Sequence, residues 1–241
     1  QYKFQIAKEK EVYESQINFF TNIAHEIRTP LSLITAPLEK IIRSGDGNKQ
    51  TQKHLNSIER NTNRLLDLVN QLLDFRKIEN DMFILNYRLQ SIEKIVQKVF
   101  KQYEQDTKLH NIKMTIEMQK DVISYVDSEA LYKIISNLIS NAIKFTEKGQ
   151  IKLGYRLLNP ETLYFYVSDT GCGIAANKIE HVFGRFIKLN NFEQGTGLGL
   201  AISETIVNKL GGKIGVESIE GKGSKFWFTL PYTPAQKKSL E

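Results

Sequence analysis

The chain has 241 residues, of which 41% are hydrophobic, enough to build one or two folded domains. No stretch approaches the roughly 20 apolar residues of a membrane span, and the single cysteine excludes an internal disulfide. The net charge of +6 is mild and spread along the chain, so nucleic-acid binding, which normally requires a clustered basic face, is not expected.

Residues 1–78 have a helical pattern that is broken only at 44–48, where the composition indicates a turn. Each of the two predicted helices carries an apolar stripe at three- and four-residue steps. The second stripe contains Leu55, Ile58, Leu65, Val69 and Leu72, widened by Leu66 and Leu73. Two helices cannot bury seams this wide against each other alone, so we expect a homodimer in which two hairpins form a four-helix bundle. Packing of the seams onto the rest of the same chain is the alternative.

His25 lies on the first predicted helix, two positions from both Ile23 and Ile27, so its imidazole should face away from the apolar stripe. An outward histidine is usually solvated surface. Here, however, Pro30 should bend the helix beside it. Glu26 can hydrogen-bond the imidazole, and Thr29 lies one turn along on the same face. This pattern indicates His25 as a candidate phosphate acceptor.

After residue 81 the pattern changes to mixed helix and strand, which predicts a second domain over 82–235. We expect helices at 92–103, 128–145 and 177–184, and another that begins near 197. The predicted strands are 82–89, 112–118, 150–158, 162–168, 213–218 and 225–230. Helices on one face of a mixed sheet make this domain a two-layer α/β sandwich, so the fold class of the whole chain is α+β.

Three groups of polar or glycine residues in the second domain suit a nucleotide. Asn137, Asn141 and Lys144 lie on one edge of the helix at 128–145, where amide oxygens could ligate Mg²⁺ and the ammonium could pair with phosphate. A solvated polar edge is the alternative. Asp169 follows a predicted strand and could accept the exocyclic amine of adenine, and the glycines after it allow a close backbone approach. An ordinary turn is the alternative there.

Alternating glycines at 195, 197 and 199 precede a predicted helix, whose free amides would suit phosphate oxygens. A Rossmann site is excluded because no parallel βαβ unit surrounds these glycines. A Walker A site is excluded because no Gly-Lys-Ser/Thr follows them.

Together these segments resemble the catalytic core of the sensor histidine kinases of two-component systems, over residues 10–231. Residues 20–33 resemble the H box of that family and 137–145 its N box. The first glycine box is matched by 169–174, the F box by 182–186 and the second glycine box by 195–200.

The resemblance implies that His25 accepts the γ-phosphoryl group of ATP and that Glu26 takes or holds the imidazole proton. It implies that Thr29 can orient a water that dephosphorylates the partner regulator, that Asn141 ligates Mg²⁺ and that residues 187–195 form an ATP lid. The implied nucleotide site comprises Asn137, Asn141, Lys144, Phe145, Asp169, Gly171, Gly173, Gly195, Thr196, Gly197, Leu198 and Gly199.

The implied partners are a second copy of the chain and the receiver domain of a response regulator. The resemblance also implies the cytoplasmic portion of a membrane-anchored protein whose sensor region is absent from this chain. Two other interpretations stay open. One is a related ATPase of the topoisomerase, mismatch-repair and chaperone group, and the other is a degenerate kinase that acts as a dimeric scaffold.

Overall fold

The structure is a computed structural model that describes residues 27–41, 49–79, 83–119, 122–185, 187 and 197–234. His25, Glu26, Gly195 and Thr196 lie outside the described residues, as does the predicted lid apart from residue 187. What the sequence predicts for them stays a prediction.

Two helices, α1 (residues 27–41) and α2 (Lys49–Glu79), account for the described part of the hairpin. Arg76 and Lys77 lie in the last turn of α2, where positive charge offsets the partial negative charge of the helix end. The bend predicted beside His25 involves residues outside the described ranges. In the part of the chain that the structure describes, no helix has both the length and the apolar character needed to cross a membrane.

The apolar side chains of α2 fall into two sets. Leu68 and Phe75 are buried, and Phe75 joins the core of the second region. Leu66 and Leu73 are 56% and 53% exposed. The expectation that the whole seam faces a second hairpin is therefore wrong for Leu72, which packs against the core that contains Phe75.

The second region contains a five-stranded mixed sheet and a separate two-stranded sheet. Its elements are β1 (Arg88–Ser91), α3 (Ile92–Leu109), β2 (Ile112–Met118), β3 (Ile123–Val126), α4 (Ser128–Phe145), β4 (Gly149–Asn159), β5 (Thr162–Asp169), α5 (Ala176–Ile179), α6 (Gly199–Lys209), β6 (Lys213–Ile219) and β7 (Gly223–Pro231). The strand order is β2-β4-β5-β7-β6, in which β2 and β4 are parallel and the other pairs antiparallel.

The sheet domain has two layers, because α3, α4 and α6 pack against one face of the five-stranded sheet. The alternating residues of β5 and β7 explain this arrangement, since every second side chain points into the core. Phe165 and Phe228 stack at its centre with ring centroids 4.7 Å apart. The predicted α+β architecture is confirmed.

Two predicted elements differ from the structure. The strand predicted at 82–89 is wrong, since 83–87 have no regular structure and the strand is Arg88–Ser91. Phe83 and Leu85 produce an alternating apolar pattern because both pack on the core. They are not in a strand, because the four residues of β3 pair with 88–91 and leave no partner strand for 83–87. The helix predicted at 177–184 is reduced to Ala176–Ile179, followed by turns.

The chain enters and leaves the sheet domain beside β3. On the entering side, β1 pairs with β3, and the Asn86 N–H donates to Asp127 Oδ2 at 2.7 Å. On the leaving side, the Tyr125 N–H donates to the Thr233 carbonyl at 2.9 Å. Both connections are therefore fixed at one corner of the domain.

Candidate active site

The orientation of α4 determines where the predicted asparagines lie. Asp127 caps the helix by accepting hydrogen bonds at 2.9 Å from the N–H groups of Glu129 and Ala130. One side of the helix is completely buried, through Leu131, Ile134, Ile135 and Leu138. Asn137 and Asn141 lie half-buried outside this stripe and Lys144 is exposed, so the core encloses none of the three.

Asn137 is held by α6. Its Nδ2 donates to Ser203 Oγ at 2.9 Å, and a Cβ added at Gly199 would come within 2.2 Å of its Oδ1. Gly199 is therefore required for the close approach of α4 and α6. Ser203 was not predicted, because a small polar residue within an apolar helix stripe has no distinctive pattern.

Asn141 differs from Asn137, because its side-chain amide has no hydrogen-bond partner among the described residues. Its oxygen is thus available to a hard cation, the kind of ligand that Mg²⁺ accepts beside phosphate oxygens. The Lys144 ammonium lies 4.5 Å from the centroid of the Phe145 ring. Within the described ranges, no group of three or more His, Cys or acidic side chains could hold a metal ion.

Asp169 presents one carboxylate oxygen to a ligand. Its Oδ1 accepts hydrogen bonds from the N–H groups of Gly171 at 2.8 Å and Ser224 at 3.3 Å, which leaves Oδ2 available among the described residues. Burial raises the pKa of Asp169 above its ordinary value, and the two backbone hydrogen bonds act in the opposite direction. A fixed acceptor of this kind suits an exocyclic amine.

The loop after β5 connects Asp169 to the other elements of the site. The Cys172 N–H donates to the Phe145 carbonyl at 3.2 Å, and the Cys172 carbonyl accepts from Gly221 at 2.7 Å. Gly173 has a φ of +66°, and a Cβ there would lie 2.1 Å from the Ile219 carbonyl oxygen. This glycine therefore allows contact between protein segments, whereas the sequence suggested contact with a ligand.

The second glycine segment is described from Gly197 onward. Gly199 begins α6, and the Leu198 side chain is buried in the core with 1% exposure. Only the backbone of Leu198 can therefore contribute to a nucleotide site. Thr29, by contrast, lies on α1 with an exposed side chain, far from these glycines in sequence.

The end of α2 contacts the edge of α4 that carries the asparagines. Lys133, one turn before Asn137, lies 2.8 and 2.9 Å from the two carboxylate oxygens of Asp74 on α2. The Arg185 guanidinium lies 5.2 Å from the centroid of the Phe75 ring. Neither contact was predicted, because both join residues distant in sequence. They connect the hairpin directly to the candidate nucleotide site.

Two family models match the chain. The His Kinase A (phospho-acceptor) domain matches residues 15–81, and the histidine kinase-, DNA gyrase B- and HSP90-like ATPase matches residues 126–234. Together the matches cover well over half of the sequence, in the order that the resemblance predicted.

Individual relatives agree with this assignment. Histidine kinase P4 of Formosa agariphila is 34% identical over 93% of this chain and 17% of that protein. Sensor histidine kinase WalK of Bacillus subtilis is 30% identical over 97% of this chain and 39% of that protein. Full-length ShkA in complex with AMPPNP matches with a TM-score of 0.70 and 27% identity, over 90% of this chain and 46% of that one. The chain thus spans less than half of each of these proteins. It belongs to the histidine kinases, and it contains their phosphoacceptor and ATP-binding domains.

Proposed function

We propose that this chain transfers the γ-phosphoryl group of ATP to His25, and from there to an aspartate in the receiver domain of a response regulator. The observation that carries the proposal is the arrangement of Asp169 and Asn141. The Cys172–Phe145 hydrogen bond ties the loop after Asp169 to the end of α4, and Asn141 and Asp169 each keep an oxygen that accepts no hydrogen bond from another described residue. An acceptor for adenine and an acceptor for a phosphate-bound cation thus lie on adjoining segments.

In the proposed reaction the protein chiefly binds, orients and neutralises charge, since phosphoryl transfer has a loose transition state. Asp169 accepts the adenine amine, and Lys144 meets the phosphates. Asn141, supported by Asn137, would hold Mg²⁺, which would neutralise phosphate charge when bound. A neutral His25 nitrogen forms the bond to phosphorus as the bond to the β–γ bridging oxygen breaks, so ADP leaves with the electron pair. Glu26 takes or holds the imidazole proton.

We propose that residues 1–78 form the phosphoacceptor hairpin and 82–235 the ATP-binding domain, and that two hairpins associate. Leu66, Val69 and Leu73 support the association, because they are 40% exposed or more on a helix whose other face is occupied by its own chain. A second hairpin would cover them. We place the chain in the cytoplasmic part of a longer, membrane-anchored protein.

We also propose that the chain can dephosphorylate its regulator. The supporting observation is the exposed Thr29 on α1, four residues after His25 in the sequence, where its hydroxyl could orient a water. A Thr29→Ala variant should keep autophosphorylation and lose regulator dephosphorylation. Unchanged dephosphorylation in that variant would remove this second activity from the proposal.

The principal test is autophosphorylation of the purified chain with γ-labelled ATP. We expect acid-labile label on the wild type and on His54→Gln, which removes a histidine from α2, and none on His25→Gln. Nucleotide binding should be retained by all three proteins. Equal labelling of His25→Gln would refute the acceptor assignment. ATP hydrolysis without labelled protein would favour the related ATPases, and failure to bind Mg-ATP would favour the degenerate scaffold.

A further inference from the structure

The five-stranded sheet has a second face, opposite α3, α4 and α6, and three aromatic rings lie together on it. They are Tyr164 and Tyr166 on β5 and Trp227 on β7, and we refer to them as the aromatic platform. The Tyr164 centroid lies 6.0 Å from that of Tyr166 and 6.1 Å from that of Trp227. All three are only partly buried, although nothing in the kinase reaction proposed above uses them.

Glycines on the neighbouring strands provide space for this platform. A Cβ at Gly154 on β4 would come within 2.4 Å of the Tyr166 ring, and a Cβ at Gly215 on β6 within 2.5 Å of the Trp227 ring. The two rings therefore lie across the adjacent strands and do not project from the sheet. The face is flat as a result.

Cations lie over the rings. The Arg156 guanidinium is 5.5 Å from the Tyr164 centroid, and the Lys225 ammonium is 5.6 and 5.5 Å from those of Tyr164 and Tyr166. An approaching molecule thus meets positive charge first and the aromatic surface beneath it.

The charge of this face is predominantly positive. Lys152 pairs with Glu117 at 2.8 Å, and Lys225 pairs with Glu217 at 3.8 Å. The strand registers place the side chains of three further cations on the same face, and among the described residues these make no ion pair: Lys113, Arg156 and Lys213. The uncompensated charge is therefore three positive units, half of the +6 of the whole chain.

We propose that this face docks an acidic protein partner whose carboxylates meet Arg156, Lys213 and Lys225 above the aromatic platform. Charge complementarity favours this occupant. Single-stranded nucleic acid would need uncovered ring faces on which bases could stack, and here Arg156 and Lys225 lie over the rings of Tyr164 and Tyr166. A lipid surface would need aromatic side chains that project into it, and here the rings lie flat.

Trp227 makes the proposal directly measurable, because it is the only tryptophan of the chain. Poly-L-glutamate serves as the probe, and it should change the Trp227 emission saturably at low salt. Removing two cations by Arg156→Gln with Lys213→Gln should weaken binding by about tenfold or more. A matched variant, Lys94→Gln with Lys101→Gln, removes two exposed lysines from α3 in the helical layer and should bind like wild type.

Circular dichroism should first show that both double variants are folded, which is expected because all four side chains are exposed. No emission change with poly-L-glutamate, or equal affinity in the two double variants, would overturn the proposal. A larger response to phosphatidylcholine–phosphatidylglycerol vesicles or to oligo-dT at equal anionic charge would overturn it as well. None of these outcomes depends on phosphorylation, so the test is independent of the proposed kinase activity.

Discussion

Leu66 and Leu73 on α2 are 56% and 53% exposed, whereas Phe165 and Phe228 in the sheet domain are 0% and 1% exposed. Both regions are rich in apolar side chains at regular spacing, yet only the sheet domain encloses them within its own fold. Two layers give a sheet and its helices a shared interior, while two helices alone have too little surface to cover each other. The comparison indicates that regular spacing predicts a buried face without predicting which surface buries it.

The end of α2 belongs to both regions. Phe75 is 6% exposed within the core of the sheet domain, although it lies on the same helix as Leu66. Substitutions along α2 and within the sheet domain can therefore distinguish three contributions to stability. These are the folding of the sheet domain, the docking of α2 on it and the association of two hairpins.

The largest effect is expected from Phe165→Ala. It removes a fully buried ring that stacks on Phe228, so the free energy of unfolding should fall by about 3–5 kcal/mol. Urea denaturation measures the loss. Leu158→Ala on the neighbouring strand is the control, because Leu158 is exposed and should change stability by less than about 0.5 kcal/mol. Similar losses in the two variants would contradict the placement of the core.

Phe75→Ala should have the next largest effect, a loss of about 2–4 kcal/mol where α2 docks on the sheet domain. Because Phe75 joins the two regions, we also expect their unfolding transitions to separate. Circular dichroism at 222 nm should follow the unfolding of both regions. The Trp227 emission should follow the unfolding of the sheet domain alone. A single, unshifted transition would show that α2 is not docked through Phe75.

Replacing Leu66 and Leu73 together by Ser should weaken hairpin association by about 2–4 kcal/mol and leave the sheet domain unaffected, since both side chains are exposed in the single chain. Sedimentation equilibrium measures the association. Lys53→Ser and Arg60→Ser, on the same helix and also exposed but more than about 100° around it from both leucines, provide the control. An unchanged dimer, or a wild type that is monomeric at all concentrations, would exclude this seam as the interface.

Asp169 gives the sheet domain a distinctive pH dependence. Burial raises its pKa, so the folded state binds the proton more tightly than the unfolded chain does. The stabilisation that comes from protonated Asp169 should therefore disappear from the free energy of unfolding as the pH rises from about 4 through the raised pKa. Asp169→Asn does not ionise, so relative to wild type it should be more stable at neutral pH than it is near pH 4. Urea denaturation at the two pH values measures the difference. Exposed Glu180→Gln is the control, and an identical pH profile for wild type and Asp169→Asn would contradict the prediction.

The smallest effect is expected from Asp74→Asn, which breaks the ion pair with Lys133 between α2 and α4. The side chains are 19% and 41% exposed, so the loss should be only about 0–1 kcal/mol. The exposed pair on α3, broken by Glu104→Gln, offers a comparison of similar size. A loss above about 2 kcal/mol from Asp74→Asn would mean that the junction depends on charge more than on Phe75.

Strong periodicity allowed the longer elements to be predicted. The strand 112–118 and the helix 128–145 have the bounds that the sequence predicts, because each carries an uninterrupted pattern and the helix has Asp127 as its cap. β3 was missed because four residues carry too short a pattern. α3 continues past the predicted end to Leu109, where Thr107 is buried without belonging to the apolar stripe.

The candidate site was predictable only in part. Residue types identified Asn141 and Asp169, but the partners that orient the site, such as Ser203 for Asn137, come from other elements and have no local signature. The pattern of glycines indicated a close approach of the backbone, but the sequence could not predict which atoms approach it. The carbonyl of Ile219 reaches Gly173 only after β6 has joined the sheet.

The attachment of both connections beside β3 has a mechanical consequence. A pulling force applied between residues 83–87 and 232–234 would pass through the hydrogen bonds of β1, β3 and Thr233. That path does not include α6 or the loop after Asp169, but it reaches the first turn of α4, because Asn86 donates to Asp127 and Asp127 caps that helix. A strain applied through these connections would therefore act on the helix that carries Asn141 before it acts on the loop after Asp169.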